Sequence, residues 1–217
     1  MAFLQEKDKD YIRDVFKALK DDVRLIYFTQ ELECQYCRET RQILTEVSEL
    51  SDKINIVFYN FVTDNKIAAQ YNIDKIPATV IEGGKDFGIR YYGIPSGYEF
   101  SSLIEDVVDV SRGDSGLSDD SRNLLKTIHT PLRLQVFVTP TCPYCPSAVR
   151  LAHRLAIEND QITADMVEAT EFPHLAMRYN VKGVPRTIIG ENFPIEGTMQ
   201  EKAFVEKIVE YASKSQS

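Results

Sequence analysis

Two rhythms of apolar and polar residues alternate along this chain, and the whole alternation is written twice. The run VRLIYFT (23–29) is mostly apolar and predicts a buried strand; LRLQVFV (132–138) does the same in the second half. After each comes a stretch with apolar residues at helical spacing, Ile43, Leu44, Val47 and Leu50 in the first and Ala148, Leu151, Ala152 and Leu155 in the second. INIVFYNF (54–61) and ITADMVEA (162–169) then suit a second strand. Short helices ending near Tyr71 and Tyr179 follow, then a strand pair in each half (ATVIEGG…IRYYG, RTIIGENFPIEG) and closing helices around 97–110 and 199–213. A short amphipathic helix leads each copy, with Val15, Phe16 and Leu19 in one and Leu124, Leu125 and Ile128 in the other.

The repeat has a fixed offset. At 108 positions, Cys34 meets Cys142, Tyr36 meets Tyr144, Cys37 meets Cys145, and YNIDKIPAT (71–79) meets YNVKGVPRT (179–187). Pro77 and Pro185 each lie 43 positions after the first cysteine of their half, and shared spacing around a shared motif points to duplication. The polar stretch SRGDSGLSDDS (111–121) separates the copies, giving expected units of 1–113 and 114–217, with Asp119 and Asp120 read as helix-start electrostatics. Each strand-helix-strand start predicts a right-handed parallel crossover, and each short final connection an antiparallel hairpin. The expected fold is α/β: two tandem units, each a mixed four-stranded sheet flanked by helices, with an extra leading helix.

The 217 residues suit two domains large enough to bury cores, and 43% apolar with 27% charged residues excludes disorder and disulfide-dense miniature folds. No run of about 18 apolar residues occurs, and the amino terminus lacks a basic stretch leading into an apolar one, so a cytoplasmic, soluble chain is expected. Net charge is −8, divided −6 and −2 between 1–112 and 113–217. Such a surface repels nucleic acid and anionic membranes and favours protein or small-molecule partners.

All four cysteines lie in two pairs, Cys34-Gln-Tyr-Cys37 and Cys142-Pro-Tyr-Cys145. Such pairs bind zinc, staple loops or pass electrons. A four-thiolate zinc site usually spaces its pairs about 15–20 residues apart, whereas 104 residues intervene here and each pair has its own repeated unit. No metal or bound cofactor is therefore expected; a single catalytic pair with a structural partner stays open as an alternative. Each pair follows a strand and opens a helix, where unpaired N–H groups and the dipole favour a thiolate. A free cysteine is only about 3% ionised at pH 7, and such sites lower its pKa to about 3.5–7.5. Cys34 and Cys142 are the expected nucleophiles, and Cys37 and Cys145 the resolving partners, closing the redox disulfides Cys34–Cys37 and Cys142–Cys145.

CxxC after a strand, with Ile76-Pro77 or Val184-Pro185 at the fixed downstream distance, resembles the thioredoxin fold, and CPYC resembles the glutaredoxin site. Two such units in tandem resemble, over nearly the whole chain, the protein disulfide oxidoreductases of hyperthermophiles. The resemblance implies a thermophile source, a cis bond before each proline, and backbone hydrogen bonds from the residue before it to a bound substrate chain. Ile76, Pro77, Val184 and Pro185 are thereby substrate-binding candidates. Tyr36 and Tyr144 are expected on the substrate-facing rim, and Arg186, which follows Pro185, is a further candidate with a solvated strand end as its alternative. The expected partners are disulfide- or dithiol-bearing proteins and a thioredoxin-reductase-like electron donor, with oligomeric state left open.

The sites are not identical. Glu31, Glu33 and Glu39 flank the first, partly offset by Arg38 and Arg41, while Arg150 and Arg186 accompany the second, so Cys142 is expected to be the more reactive. His129, His153 and His174 have no equivalents in the first copy and read as structural or surface residues, and GGKDFG (83–88) as a hairpin rather than a phosphate loop. The function expected is dithiol–disulfide exchange on proteins, in a direction that residue types do not fix. Two rivals remain: an electron-delivery module resembling the amino-terminal domain of the flavoprotein of alkyl hydroperoxide reductase, disfavoured by two intact pairs and no attached dinucleotide-binding segment, and a non-catalytic peptide-binding chaperone module.

Overall fold

The structure, a computed structural model, describes residues 3–214. The first half runs α1 (Glu6–Phe16), β1 (Val23–Thr29), α2 (Cys37–Ser48), β2 (Ile54–Asn60), α3 (Asn65–Gln70), β3 (Ala78–Glu82), β4 (Asp86–Tyr92) and α4 (Glu99–Arg112). The second repeats the order with α5 (Asp119–Leu125), β5 (Leu132–Val138), α6 (Cys145–Glu158), β6 (Ile162–Glu168), α7 (Pro173–Arg178), β7 (Arg186–Ile189), β8 (Phe193–Glu196) and α8 (Glu201–Lys214). Between them Gly113 closes α4 in the left-handed conformation, and the Ser118 side chain caps α5 by accepting from Ser121 N–H, with Asp119 and Asp120 in the first turn.

The crossovers and hairpins form as the patterning predicts: β1 is parallel to β2 and β5 to β6, while β3–β4 and β7–β8 are antiparallel. The seam is the new feature. β4 and β6 pair in parallel from Ile89↔Ala164 to Tyr92↔Val167, fusing both halves into one eight-stranded sheet, β2-β1-β3-β4-β6-β5-β7-β8. Two sheet edges that would each expose unpaired backbone thus cover one another. Gly88 (φ +81°) permits this approach, since a Cβ there would lie 2.9 Å from the Ile162 carbonyl oxygen.

The sheet's faces differ in cover. One packs against α1, α2, α4, α5, α6 and α8 through residues such as Leu25, Val47, Val107, Leu134, Leu155 and Ile208. Among the described residues the other carries α3 and α7 alone, over Ile26, Val80, Tyr92, Phe137 and Ile188. Because β1, β4, β6 and β5 all point the same way, β1 and β5 deliver their carboxyl ends, and the cysteine loops that follow, to one margin of the sheet. Four strand spacings, about 19 Å, separate them. Four thiolates so placed do not converge on one zinc ion.

Candidate active site

The first site grows out of β1. The chain turns after Thr29, passes Glu33 in the left-handed region (φ 56°), and reaches Cys34, which is disulfide-bonded to Cys37 at the start of α2 with Cα atoms 5.5 Å apart. No side chain caps α2, so its first-turn N–H groups face the cysteine loop. Cys34 is half-buried and Cys37 buried, and the buried Tyr27 hydroxyl donates to the Cys37 carbonyl at 2.8 Å. Burial pushes the Tyr27 hydroxyl well above its usual pKa, so it serves as a neutral donor. Arg38 and Arg41 line the pocket beside Cys34, and the Arg41 guanidinium sits 4.3 Å from the Phe58 ring centroid.

The second site repeats this at the end of β5. Cys142 is disulfide-bonded to Cys145, again with Cα atoms 5.5 Å apart, and α6 starts without a side-chain cap. Cys142 N–H donates to the Thr139 carbonyl at 3.1 Å. Tyr144 is 69% exposed, while Tyr36 is half-buried with its hydroxyl against Gln35 Nε2 at 3.2 Å, so the two tyrosines differ in accessibility. Ile76-Pro77 and Val184-Pro185 are both cis. Register places each proline beside the strand end that precedes a cysteine loop, since Ala78 pairs with Phe28 and Arg186 with Phe137. Ile76 and Val184 are half-buried there.

Neither arginine expected to bias Cys142 is free to do so. Arg150 turns away into α4, pairing with Asp106, with Asp109 at 2.5 Å and with Glu105 at 3.1 Å. Arg186 is held by Glu196 across the β7–β8 hairpin. The first site keeps its own mixed flank, exposed Glu31, Glu33 and Glu39 against Arg38 and Arg41 beside Cys34.

Residues 132–210 match the family model of the thioredoxin domain. Over 97% of its length the chain superposes on 94% of a protein disulfide oxidoreductase from Aeropyrum pernix K1, with a TM-score of 0.91 and 27% identity. The NTD_N/C domain of alkylhydroperoxide reductase AhpF from Enterococcus faecalis gives 0.88 and 26%, covering 95% of this chain and all of that one. In sequence, the corresponding alkyl hydroperoxide reductase protein of Staphylococcus aureus is 25% identical over 162 residues, 72% of this chain. The chain spans 28% of that relative's length. The chain has a tandem thioredoxin fold with a CxxC disulfide in each half. Each of its dithiols can cycle between the disulfide seen here and a reduced pair, moving two electrons per turn.

Two carboxyl groups near the cysteine-bearing margin, buried Glu99 and half-buried Glu171, are not marked by any motif. Gly97 and Tyr98, from the first half, pack on Pro140 just before Cys142: Tyr98 N–H donates to the Pro140 carbonyl at 3.0 Å, and a Cβ on Gly97 would collide with that oxygen. One residue on, Glu99 is buried in the first turn of α4; its Oε2 accepts from Ser102 Oγ at 2.9 Å, and Oε1 has no partner among the described residues. Burial raises Glu99 to about 7. Glu171, after β6, accepts from Ile94 N–H at 2.6 Å and is likewise raised to about 7, chiefly by burial. Nothing in the sequence distinguishes Glu99 from an ordinary dipole-matching glutamate, because its burial arises between the repeats.

Glu99 makes stability depend on pH. Its folded pKa exceeds the unfolded value of 4.5, so its contribution is fully present below pH 4.5 and lost as pH rises through 7. Glu99→Gln is expected to stabilise the fold by about 1–3 kcal/mol at pH 8, with little or no gain at pH 4.5, measured as urea unfolding free energies. An equal effect at both pH values would show that no proton is held at Glu99.

Proposed function

We propose that this chain exchanges disulfides with other proteins through both sites, each half (1–113 and 114–217) carrying one. The observation that carries the reading is the pair of CxxC disulfides at one margin of a continuous thioredoxin-fold sheet. In the reducing direction, the Cys142 thiolate attacks a substrate disulfide, forming a Cys142–substrate bond and releasing one substrate thiolate. Cys145 then attacks Cys142 Sγ, closing Cys142–Cys145 and releasing the second substrate sulfur as thiolate; both take up protons from solvent. Two electrons pass from the site to the substrate. The reverse sequence oxidises a substrate dithiol, and Cys34 with Cys37 works in the same way. Tyr36 and Tyr144 form the rims, Ile76 and Val184 offer backbone beside Pro77 and Pro185, and Arg186 borders the second site.

Among the described residues no helix is long and apolar enough to cross a membrane. With every cysteine in a redox pair, the reading extends to a reducing cytoplasm, where a thioredoxin-reductase-like donor would recharge the sites. The test is catalysis of insulin disulfide reduction by dithiothreitol: acceleration is expected, and none would overturn the proposal.

The alkyl hydroperoxide reductase relatives favour a second reading, electron delivery to a peroxidase. Faster transfer from the reduced chain to a peroxidase disulfide than to insulin would select it.

The acidic flank gives a further expectation. Glu31, Glu33 and Glu39 disfavour the Cys34 thiolate, so Cys142 is expected to ionise at the lower pH. Iodoacetamide alkylation rates against pH, measured in Cys34→Ser and Cys142→Ser chains after reduction, check this; the reverse order would refute it.

A further inference from the structure

The two ends of the sheet are finished differently. At one end β8 is four residues long and contains Pro194, which has no N–H to donate. At the other, β2 runs seven residues, INIVFYN, without proline or charge, and among the described residues no strand pairs with its outer side. Val23 N–H donates to the Lys53 carbonyl and Phe61 N–H to the Thr29 carbonyl, each at 2.8 Å. By the alternation of a parallel pair, this register turns the backbone of Asn55, Val57 and Tyr59 toward β1 and that of Ile56 and Phe58 outward.

The open stretch is bounded on both sides. Ile54 N–H donates to the Ser51 carbonyl at 3.1 Å, and Asn60 N–H to Asp64 Oδ2 at 2.7 Å. Between them Ile56 and Phe58 each present a donor and an acceptor at the two-residue spacing that an extended chain matches. Their half-buried side chains lie on one face beside Leu25 and Tyr27, so an added strand would extend that apolar face. The edge also leads to chemistry, because Phe58, Tyr59 and Asn60 share a pocket of about 540 Å³ with Cys34 and Cys37. In the second half the corresponding edge is already used, since β6 pairs there with β4.

We propose that the outer edge of β2 docks the substrates of the first site. An extended, disulfide- or dithiol-bearing polypeptide segment adds as a further strand along Ile56 and Phe58 and brings its sulfur to Cys34. The proposal rests on the redox reading of Cys34–Cys37. A polypeptide substrate fits better than a second copy of this chain because the edge opens onto a dithiol pocket, and this chain has no cysteine outside its two CxxC pairs to bring there. The second site lacks such an edge, so the two sites select different substrates.

The test uses two full-length variants, one retaining only Cys34 (Cys37→Ser, Cys142→Ser, Cys145→Ser) and one retaining only Cys142. The probe is a ten-residue peptide of alternating valine and threonine with one cysteine activated as its thionitrobenzoate disulfide. The thiolate attacks the peptide sulfur, and thionitrobenzoate leaves with the electron pair, its colour reporting the rate. N-methylation of one set of alternate peptide residues is expected to slow capture by Cys34 about tenfold relative to methylation of the other set, as befits losing two backbone hydrogen bonds. For Cys142 the two sets should behave alike. Amide exchange at Ile56 and Phe58 is expected to slow in the captured complex. Equal rates for both sets at Cys34, or a peptide-free dimer with Ile56 and Phe58 already protected, would overturn the proposal. Failure of Cys34 to capture any peptide would instead bring down the redox reading of the first site, and this proposal with it.

Discussion

Replacing Cys34 and Cys142 together by serine is expected to reduce catalysis of insulin reduction to the rate of dithiothreitol alone, a loss of about two orders of magnitude or more. A serine hydroxyl remains protonated at neutral pH and is a far weaker nucleophile than a thiolate, so the attack that begins each exchange stops. The single variants divide the loss. Cys142→Ser is expected to remove the larger part, because three glutamates, Glu31, Glu33 and Glu39, outnumber Arg38 and Arg41 around Cys34. Cys37→Ser and Cys145→Ser should behave differently again: attack continues, resolution fails, and a substrate-linked chain accumulates that is visible on non-reducing gels. Undiminished catalysis in the double variant would end the enzymatic reading and leave a peptide-binding module.

What the sequence discloses and what it conceals follow a physical division. The strands at 23–29 and 132–138 were legible because they are buried on both faces, so their apolar runs are nearly unbroken. The cysteine helices were legible from their amphipathic spacing, and the repeat supplied what neither half alone could, a fixed distance from cysteine to proline. Contacts between the halves left no periodic trace. Gly88 at the seam reads as a turn residue until β6 is seen beside it, and Gly97 until Pro140 is. Arg150 illustrates the cost of reading charge from sequence position. It lies five residues beyond Cys145, close enough on a helix to suggest an effect on the site, yet its side chain faces three carboxylates of α4. His153, read as structural or surface, is the structural kind, fully buried in the same cluster.

That cluster supports the largest stability effect expected here. Asp106 is inaccessible to solvent and accepts from three groups: the Tyr91 hydroxyl of β4, Arg150 Nη1 of α6, and His153 Nδ1 of α6 at 2.5 Å. Burial and the neighbouring Arg150 lower the His153 pKa to about 3, so its ring is neutral and donates Nδ1–H to the carboxylate. One side chain of α4 thus holds the helix that carries Cys145, across the boundary between the repeats. Asp106→Ala would leave a buried guanidinium with only the flanking Glu105 and Asp109, and would strand two further donors. Breaking a buried pair in this way costs about 3–5 kcal/mol, against a total stability of roughly 5–15 kcal/mol. Asp106→Asn, which keeps the volume and one acceptor oxygen, should cost less. His153 adds a pH signature: its folded pKa lies below the unfolded 6.5, so its contribution is present above pH 6.5 and is lost as pH falls toward 3. Urea unfolding at pH 7.5 and pH 5 reads both effects. A loss below about 1 kcal/mol for Asp106→Ala would show that apolar packing, and not this carboxylate, fixes α4 against α6.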